Sequence, residues 1–392
     1  MNGFFNALQQ GSGASKRHAV RHPMRVCLIV SQLAAWGKIG GVGVNARRLG
    51  RALAERGLDI HVALPQRRGQ DRIETIDGMT VHGMTVREVF FGKQLYRDID
   101  ADIYHMQEPT ICGYWAQEAM PTRVHLVTSM DPRERTDRWT EFKNATWSRR
   151  FKYPIQAYFE NGPLVHKAVK RAERVYVEAE LLRDKTQRLY NLPTLPGLLP
   201  KPIDIPEGPF TKDSTPLCAF VGRFDPRKRP ELFFQLAARM PDVSFIAVGR
   251  AHDQGFQDYL TSRYFHLPNL TVTGFVDPFR SETLHEILAR TWVLVHPAAR
   301  EGLCTAFQEA SVHEASVLAY VDPGGYVSSF GEVIEDDGRI ETIEKRLRVL
   351  LLGDEWRDKA RAGRMWNIRH HSTEISVAAH IAEYEMALST SG

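Results

Sequence analysis

The chain has 392 residues, of which 43% are hydrophobic and 25% charged. This is an ordinary globular composition and a length that suits two domains. No apolar run approaches the ~20 residues that span a bilayer, and a formal net charge of +4 is too small to argue for nucleic acid. Cys27, Cys112, Cys218 and Cys304 lie far apart without CxxC spacing, which points to free thiols in a reducing cytoplasm.

Residues 1–23 lack the apolar core of a signal peptide and read as a disordered leader. RVCLIV (25–30) reads as a buried strand. VGVNARRLGRALAERG (42–57) has helical periodicity and stops at Gly57. DIHVALP, MTVHGM, DIYHMQ, RVHLVTSM and RVYVEAE read as further strands, and LPTLPGLLPKPIDIPEGPF is a proline-rich linker. The alternation then restarts. PLCAFVGR, VSFIAVGR, LTVTGFV, WVLVHPA and VLAYVD are strand-like; ELFFQLAARM, QDYLTSRYF, SETLHEILAR and TAFQEASVHEA are helix-like.

This pattern predicts an α/β protein with two doubly wound, Rossmann-like domains facing across a cleft. The expected divisions are 24–196, a linker over 197–212, a second domain over 213–371 and a C-terminal helix over 372–392. Ligands of such sheets bind beyond the carboxyl ends of the strands, so the loops that follow strands matter most.

Three such loops stand out. In SQLAAWGKIGGVGVNARRLG, Gly40, Gly41 and Gly43 precede a helix, where glycines let backbone N–H groups approach an anion. A flexible turn is the alternative. The spacing is not the dinucleotide pattern GxGxxG, and no acid closes the second strand. In VGRFDPRKRPELF, Gly222 is followed by Arg223, Arg227, Lys228 and Arg229. Such cations repel one another without an anion nearby, and Arg can fork two phosphate oxygens; a solvated basic turn is the alternative. In REGLCTAFQEA, Glu301 ends a strand and Glu309 lies inside the next helix. No His or Asp completes a metal-ligand set at suitable spacing, and His313, four residues after Glu309, more simply packs or hydrogen-bonds, so no metal is expected. Glu309 alone also reads as a buried, satisfied helix acid. Together, glycine backbone, a cationic loop and two acids describe a nucleotide-sugar site.

At this point the chain from about Met24 onward resembles the retaining glycosyltransferases of the GT-B fold, family 4. The resemblance rests on GGVG before a helix ending in ALAERG, on VGRFDPRKRPEL as a "GR…K" donor loop, on NLTVTGFVD, and on EGLCTAFQEA as an E-x7-E motif. It implies that Arg223 and Lys228 bind diphosphate together with Gly222. Glu301 would contact the transferred sugar, and Glu309 the ribose. Backbone groups of Gly40, Gly41, Leu303, Cys304 and Thr305 would meet phosphate, and that of Val276 the base. Arg223, Lys228 and Glu301 are the catalytic candidates. The implied donor is a UDP- or GDP-sugar, with no cofactor required. The route is a front-face transfer with no covalent enzyme adduct, in which the leaving diphosphate takes the acceptor's proton.

The sequence also departs from the family. Cys304 stands where a glycine is usual. Gln107, in HMQEP, replaces the second histidine of "HxHE", so Gln107 and Glu108 are the acceptor-side candidates. HEASV replaces "CGTPV", putting Glu314 and Ser316 for Gly and Pro, and KPID replaces "NGVD". A non-catalytic nucleotide-sugar-binding subunit and a sugar-nucleotide epimerase are the alternatives to a transferase.

The acceptor is expected on the N-terminal domain, as a small molecule, a glycan or a lipid-linked group, with no nucleic-acid partner. DPRERTDRWTEFKNATWSRRFKYP (131–154) interleaves basic residues with Trp139, Phe142, Trp147, Phe151 and Tyr153. It is either a solvated helix with its aromatics inward or a contact for a membrane surface or anionic acceptor. The expected location is the cytoplasm, either free or peripheral to the inner face of the membrane.

Overall fold

The computed structural model describes residues 23–36, 40–143, 147–335 and 338–390. The expected leader lies outside these apart from its last residue, as do 37–39 of the glycine loop. No helix among the described residues is long and apolar enough to cross a membrane.

Eight strands form the first sheet: β1 (Arg25–Ile29), β2 (Asp59–Pro65), β3 (Ile73–Ile76), β4 (Met79–Met84), β5 (Ile103–Met106), β6 (Val124–Ser129), β7 (Arg174–Val177) and β8 (Gly197–Leu198). Their order is β3-β4-β2-β1-β5-β6-β7-β8, parallel throughout except for β3 on β4. Six strands form the second: β9 (Leu217–Val221), β10 (Ser244–Val248), β11 (Leu270–Gly274), β12 (Val293–His296), β13 (Ser316–Ala319) and β14 (Gly331–Val333). Their order is β11-β10-β9-β12-β13-β14, all parallel. Central strands such as β5 and β12 are buried along their length. Helices cover both faces of such a sheet, so both sets of side chains must be apolar. This is why their sequences are continuous apolar runs.

The strands read from sequence all form. Three others do not show in the pattern: β8 and β14 have only 2 and 3 residues, and β3 is half-exposed and carries no apolar run. The proline-rich stretch between the sheets is well packed: it supplies β8, buries Leu199, Lys201 and Ile203, and bridges Ile203 to Ser372. The helix expected through Ala315 ends at Val312. Glu314 there takes φ 57°, a left-handed conformation that suits glycine, and this is the position where the resembled family carries one.

The second core is aromatic, with Phe220, Phe233, Phe234 and Phe245 fully buried and Trp292 stacked on Trp356 at 4.8 Å. The final helix, Thr373–Thr390, packs back on helix Gly41–Glu55 of the first sheet. Its buried Tyr384 hydroxyl lies 2.8 Å from His105 Nδ1, and its Glu383 accepts from the Tyr176 hydroxyl at 2.6 Å.

Strand order reverses at β1, which lies between β2 and β5, and at β9, between β10 and β12. Adjacent loops there run to opposite faces and leave a crevice. The three loops singled out from sequence follow β1, β9 and β12, and HMQEP follows β5; these are four strands at the two crevices.

Candidate functional site

Two helices begin at the crevices, one on each sheet, and both lack caps. Helix Gly41–Glu55 has Gly40 as N-cap, with no side-chain cap and no acid in its first turn. Helix Thr305–Val312 starts from Cys304 in the same condition. The first N–H groups of a helix have no intrahelical partner and carry the positive end of its dipole. The two starts meet across the cleft: a Cβ on Gly41 would lie 3.5 Å from Thr305 Oγ1, which is itself 3.4 Å from Asn45 Oδ1.

Lys228 and Glu301, 73 residues apart, join at 2.6 Å, each side chain about one-fifth exposed. Burial opposes the charge on Glu301, but the Lys228 ammonium and a hydrogen bond from His296 hold its carboxyl well below the usual range. Burial likewise works against the ammonium, and Cys304 and Glu301 outweigh it, raising the Lys228 pKa. His296 Nε2 is 3.1 Å from the same carboxylate oxygen, in a ring held parallel to Phe220 at 5.9 Å. Burial, with Lys228 nearby, lowers the His296 pKa.

The cationic loop carries its own counter-ion. Asp225 accepts from Arg227 Nε at 3.0 Å and Nη2 at 3.1 Å, and caps the turn through Arg227 N at 3.1 Å. Two nearby anions for these cations thus lie within the fold: Asp225 for Arg227 and Glu301 for Lys228. Arg223 is half-buried beside Gly222. Gly222 (φ 152°) and Gly249 (φ 148°) both need glycine, and a Cβ on Gly249 would fall 1.9 Å from the Gly222 carbonyl oxygen. Gly249→Ala is expected to cost about 2–4 kcal/mol from strain and overpacking combined. Gly274→Ala, with φ 73° and open space around it, should cost about 1–2 kcal/mol from left-handed strain alone. Chemical unfolding of both variants checks this, and equal losses would refute the clash.

Glu309 is not poised open in the cleft. Arg48 of helix Gly41–Glu55 donates to it at 2.9 Å and to Asp204 at 3.1 Å. The Arg48 Nη1 atom is buried with no hydrogen-bond partner. Arg300 of the second half reaches Asp131 at 2.8 Å and Asp137 at 3.0 Å, and Arg47 lies over the Phe279 ring at 4.2 Å. Lys201, from the connecting stretch, donates to the Leu303 carbonyl and sits 3.6 Å from buried Glu178. These contacts clasp the two halves together. None was legible in sequence, since each partner is remote in the chain.

On the acceptor side, Gln107 is 2% exposed, its Nε2 3.0 Å from His105 Nδ1. It lines a small cavity with Asn45, Thr128, Glu178 and Lys201. Glu108 accepts from Ser31 at 2.7 Å, tying the loop after β1 to that after β5, and faces Arg133 at 3.5 Å. Burial raises the Glu108 pKa, Arg133 opposing it. Val276 packs half-buried against the second half's core. The predicted residues thus gather around one cleft. Arg48, Lys201, Glu178, His296 and Arg300 are the members that sequence reading missed.

His296, Glu301 and Cys304 place one donor atom each within 4.8 Å of one another, a grouping that the spacing argument did not find. The fold turns the end of β12 back on the loop that follows it. The Lys228 ammonium already stands against Glu301, so the three groups are organised around a side-chain cation.

Residues 204–363 match the profile of the family described as glycosyl transferases group 1. Over 116 residues the chain is 33% identical to a GDP-mannose-dependent alpha-mannosyltransferase from Mycolicibacterium smegmatis, an alignment covering 30% of this chain and 28% of that protein. The chain thus matches under a third of that relative's length. A sucrose-phosphate synthase from Thermosynechococcus elongatus superposes with a TM-score of 0.72 at 15% identity, covering 94% of this chain and 100% of the other. WaaG, a glycosyltransferase involved in lipopolysaccharide biosynthesis, superposes at 0.64 and 16% identity, covering 91% and 99%. HepE of Anabaena, in complex with UDP and glucose, gives 0.65 at 14% identity, covering 92% and 98%. Such low identities speak to fold alone. With two parallel sheets meeting at paired crevices, the chain has the GT-B fold, and its residues 204–363 match the glycosyl transferases group 1 profile.

Proposed function

We propose that the protein is a retaining glycosyltransferase, moving a hexosyl group from a nucleoside diphosphate sugar to an acceptor hydroxyl. The observation that carries this reading is the meeting of two uncapped helix N-termini beside the Lys228 ammonium. A diphosphate has the charge and length to satisfy both helix starts at once. Arg223 and Lys228 neutralise it from the second half, with backbone of Gly40, Gly41, Gly222, Leu303, Cys304 and Thr305 completing the cradle. Glu301 takes sugar hydroxyls, Glu309 the ribose, and the Val276 backbone the base. The GDP-mannose dependence of one relative and the UDP and glucose bound by HepE support a GDP- or UDP-hexose donor.

In the transfer, the bond from the sugar's anomeric carbon to the diphosphate oxygen breaks. The acceptor oxygen bonds to that carbon from the same face, and its proton passes to the departing diphosphate. Charge grows on the diphosphate, so preorganised donors there do most of the work. The clasped halves align the reactants and exclude water. Gln107 and Glu108 lie on the acceptor side of this arrangement.

Thermal unfolding with UDP-, GDP- and ADP-sugars tests the reading. At about a hundredfold Kd a ligand should add ~3 kcal/mol. The shift is expected with one base and should vanish in Glu309→Ala. No shift with any of these donors would overturn the donor site.

A further inference from the structure

The stretch after β6 left two readings open in sequence; the structure turns Trp139 and Phe151 outward and Phe142 and Tyr153 partly inward, and the side chain of Trp147 lies outside the described ones. Helix Arg135–Lys143 presents Arg135, Trp139 and Lys143, at i, i+4 and i+8, all to solvent, with Trp139 57% exposed. Lys143 Nζ lies 5.3 Å from the Trp139 ring centroid. On helix Trp147–Asn161, Phe151, Ile155 and Tyr158 form a stripe at i, i+4 and i+7, exposed by 76%, 65% and 46%. This is the spacing of a core-facing helix, turned outward. The inner face has its own partners: Phe159 meets Phe90 at 6.2 Å, and the Tyr153 hydroxyl donates to the Arg138 carbonyl at 2.7 Å. The adjoining helix Val86–Phe91 adds Phe91, also 70% exposed. Large apolar side chains exposed in such number on neighbouring helices commonly mark an interaction site.

Charge selects the occupant. Two acids on these helices turn toward the protein: Asp137 to Arg300 and Lys185, and Glu160 to Arg133. The outer face keeps aromatics with Arg135 and Lys143. A second copy would set like charges against one another across a two-fold axis, whereas an anionic bilayer surface accepts both features, rings at the headgroup level and cations near acidic lipids.

We propose that helices Arg135–Lys143 and Trp147–Asn161 form a peripheral docking face for an anionic lipid surface. The inner side of this face is the cleft wall, since Asp131 and Asp137 hold Arg300, the residue before Glu301. Docking would therefore hold the cleft wall one helix layer from the bilayer. This goes beyond the proposed transfer and does not depend on it, because vesicle binding is read with no sugar nucleotide present.

The test is co-sedimentation of the full chain with vesicles of phosphatidylcholine alone or mixed with phosphatidylglycerol, at low and high salt. Binding is expected on the mixed vesicles, reduced but not abolished by salt. The double variant Phe151→Ser, Ile155→Ser should lower partitioning about tenfold or more through lost apolar burial. Both positions are exposed, so its melting temperature should be unchanged. Lys143→Glu should lower binding several-fold. Sedimentation with neither vesicle, or undiminished binding by the double variant, would overturn the proposal. So would a concentration-dependent dimer that the double variant abolishes, which would assign the face to self-association.

Discussion

Lys228→Ala is expected to lower kcat by about 10²–10³-fold, the usual loss on removing one preorganised donor to a charge that grows in the transition state. Lys228 meets Glu301 at 2.6 Å, with the buried His296 at 3.1 Å from the same carboxylate oxygen. The same substitution strips Glu301 of its main counter-charge, which should cost about 2–3 kcal/mol of stability, below the full buried-pair penalty because both side chains retain some solvent. The double variant Lys228→Ala, Glu301→Gln separates the two effects: it should regain much of the stability but none of the activity.

Acid sharpens this test. Glu301 is held below its ordinary value of 4.5, so its native interactions contribute stability that is present above that value and lost as pH falls through the depressed one. The stability gap between wild type and Lys228→Ala should therefore narrow on acidification below the ordinary carboxylate range. A gap that stays constant with pH would show that Lys228 does not set the Glu301 charge.

Arg48→Ala should open the cleft. Arg48 is buried, and its guanidinium bridges Asp204 and Glu309, residues 156 and 261 positions away in the chain. Removing it leaves the Glu309 carboxylate, 8% exposed as a residue, without its counter-charge, at a cost of about 3–5 kcal/mol for one partner of a buried pair. That free energy falls on the contact between halves, so the variant should show a larger radius of gyration in small-angle scattering as well as earlier unfolding. Arg48→Lys should not restore closure, because an ammonium lacks the planar fork that reaches both acids. An unchanged radius with Arg48→Ala would mean that Arg300 and Lys201 clasp the halves without it.

Much of the architecture was legible because it is written locally. Buried parallel strands need apolar side chains on both faces, so RVCLIV, LCAFV and WVLVH announce themselves as runs. Gly57 marks the helix end before β2 for a backbone reason, its φ of 86°. Asp225 was also in view, as the residue before Pro226, yet the cationic loop was read by its net charge and the Asp225–Arg227 fork passed unnoticed. His296 was hidden differently: as the last residue of an apolar strand it looks like core, and only the turn after β12 brings its Nε2 onto Glu301.

The sequence by itself determined the alternation of strands and helices and the two arrays, and it pointed to the loops after β1, β9 and β12. These follow from side-chain periodicity and backbone preference, which act over a few residues. The tertiary structure alone decided which charges meet: Lys228 with Glu301, Arg48 with Glu309, Arg300 with Asp131 and Asp137. It also decided that Trp139, Phe151 and Tyr158 face outward. Ion pairs and exposed faces depend on distances between remote segments and on what covers each helix. Those are set by the packing of two sheets and the crossing of the final helix, which no local spacing encodes.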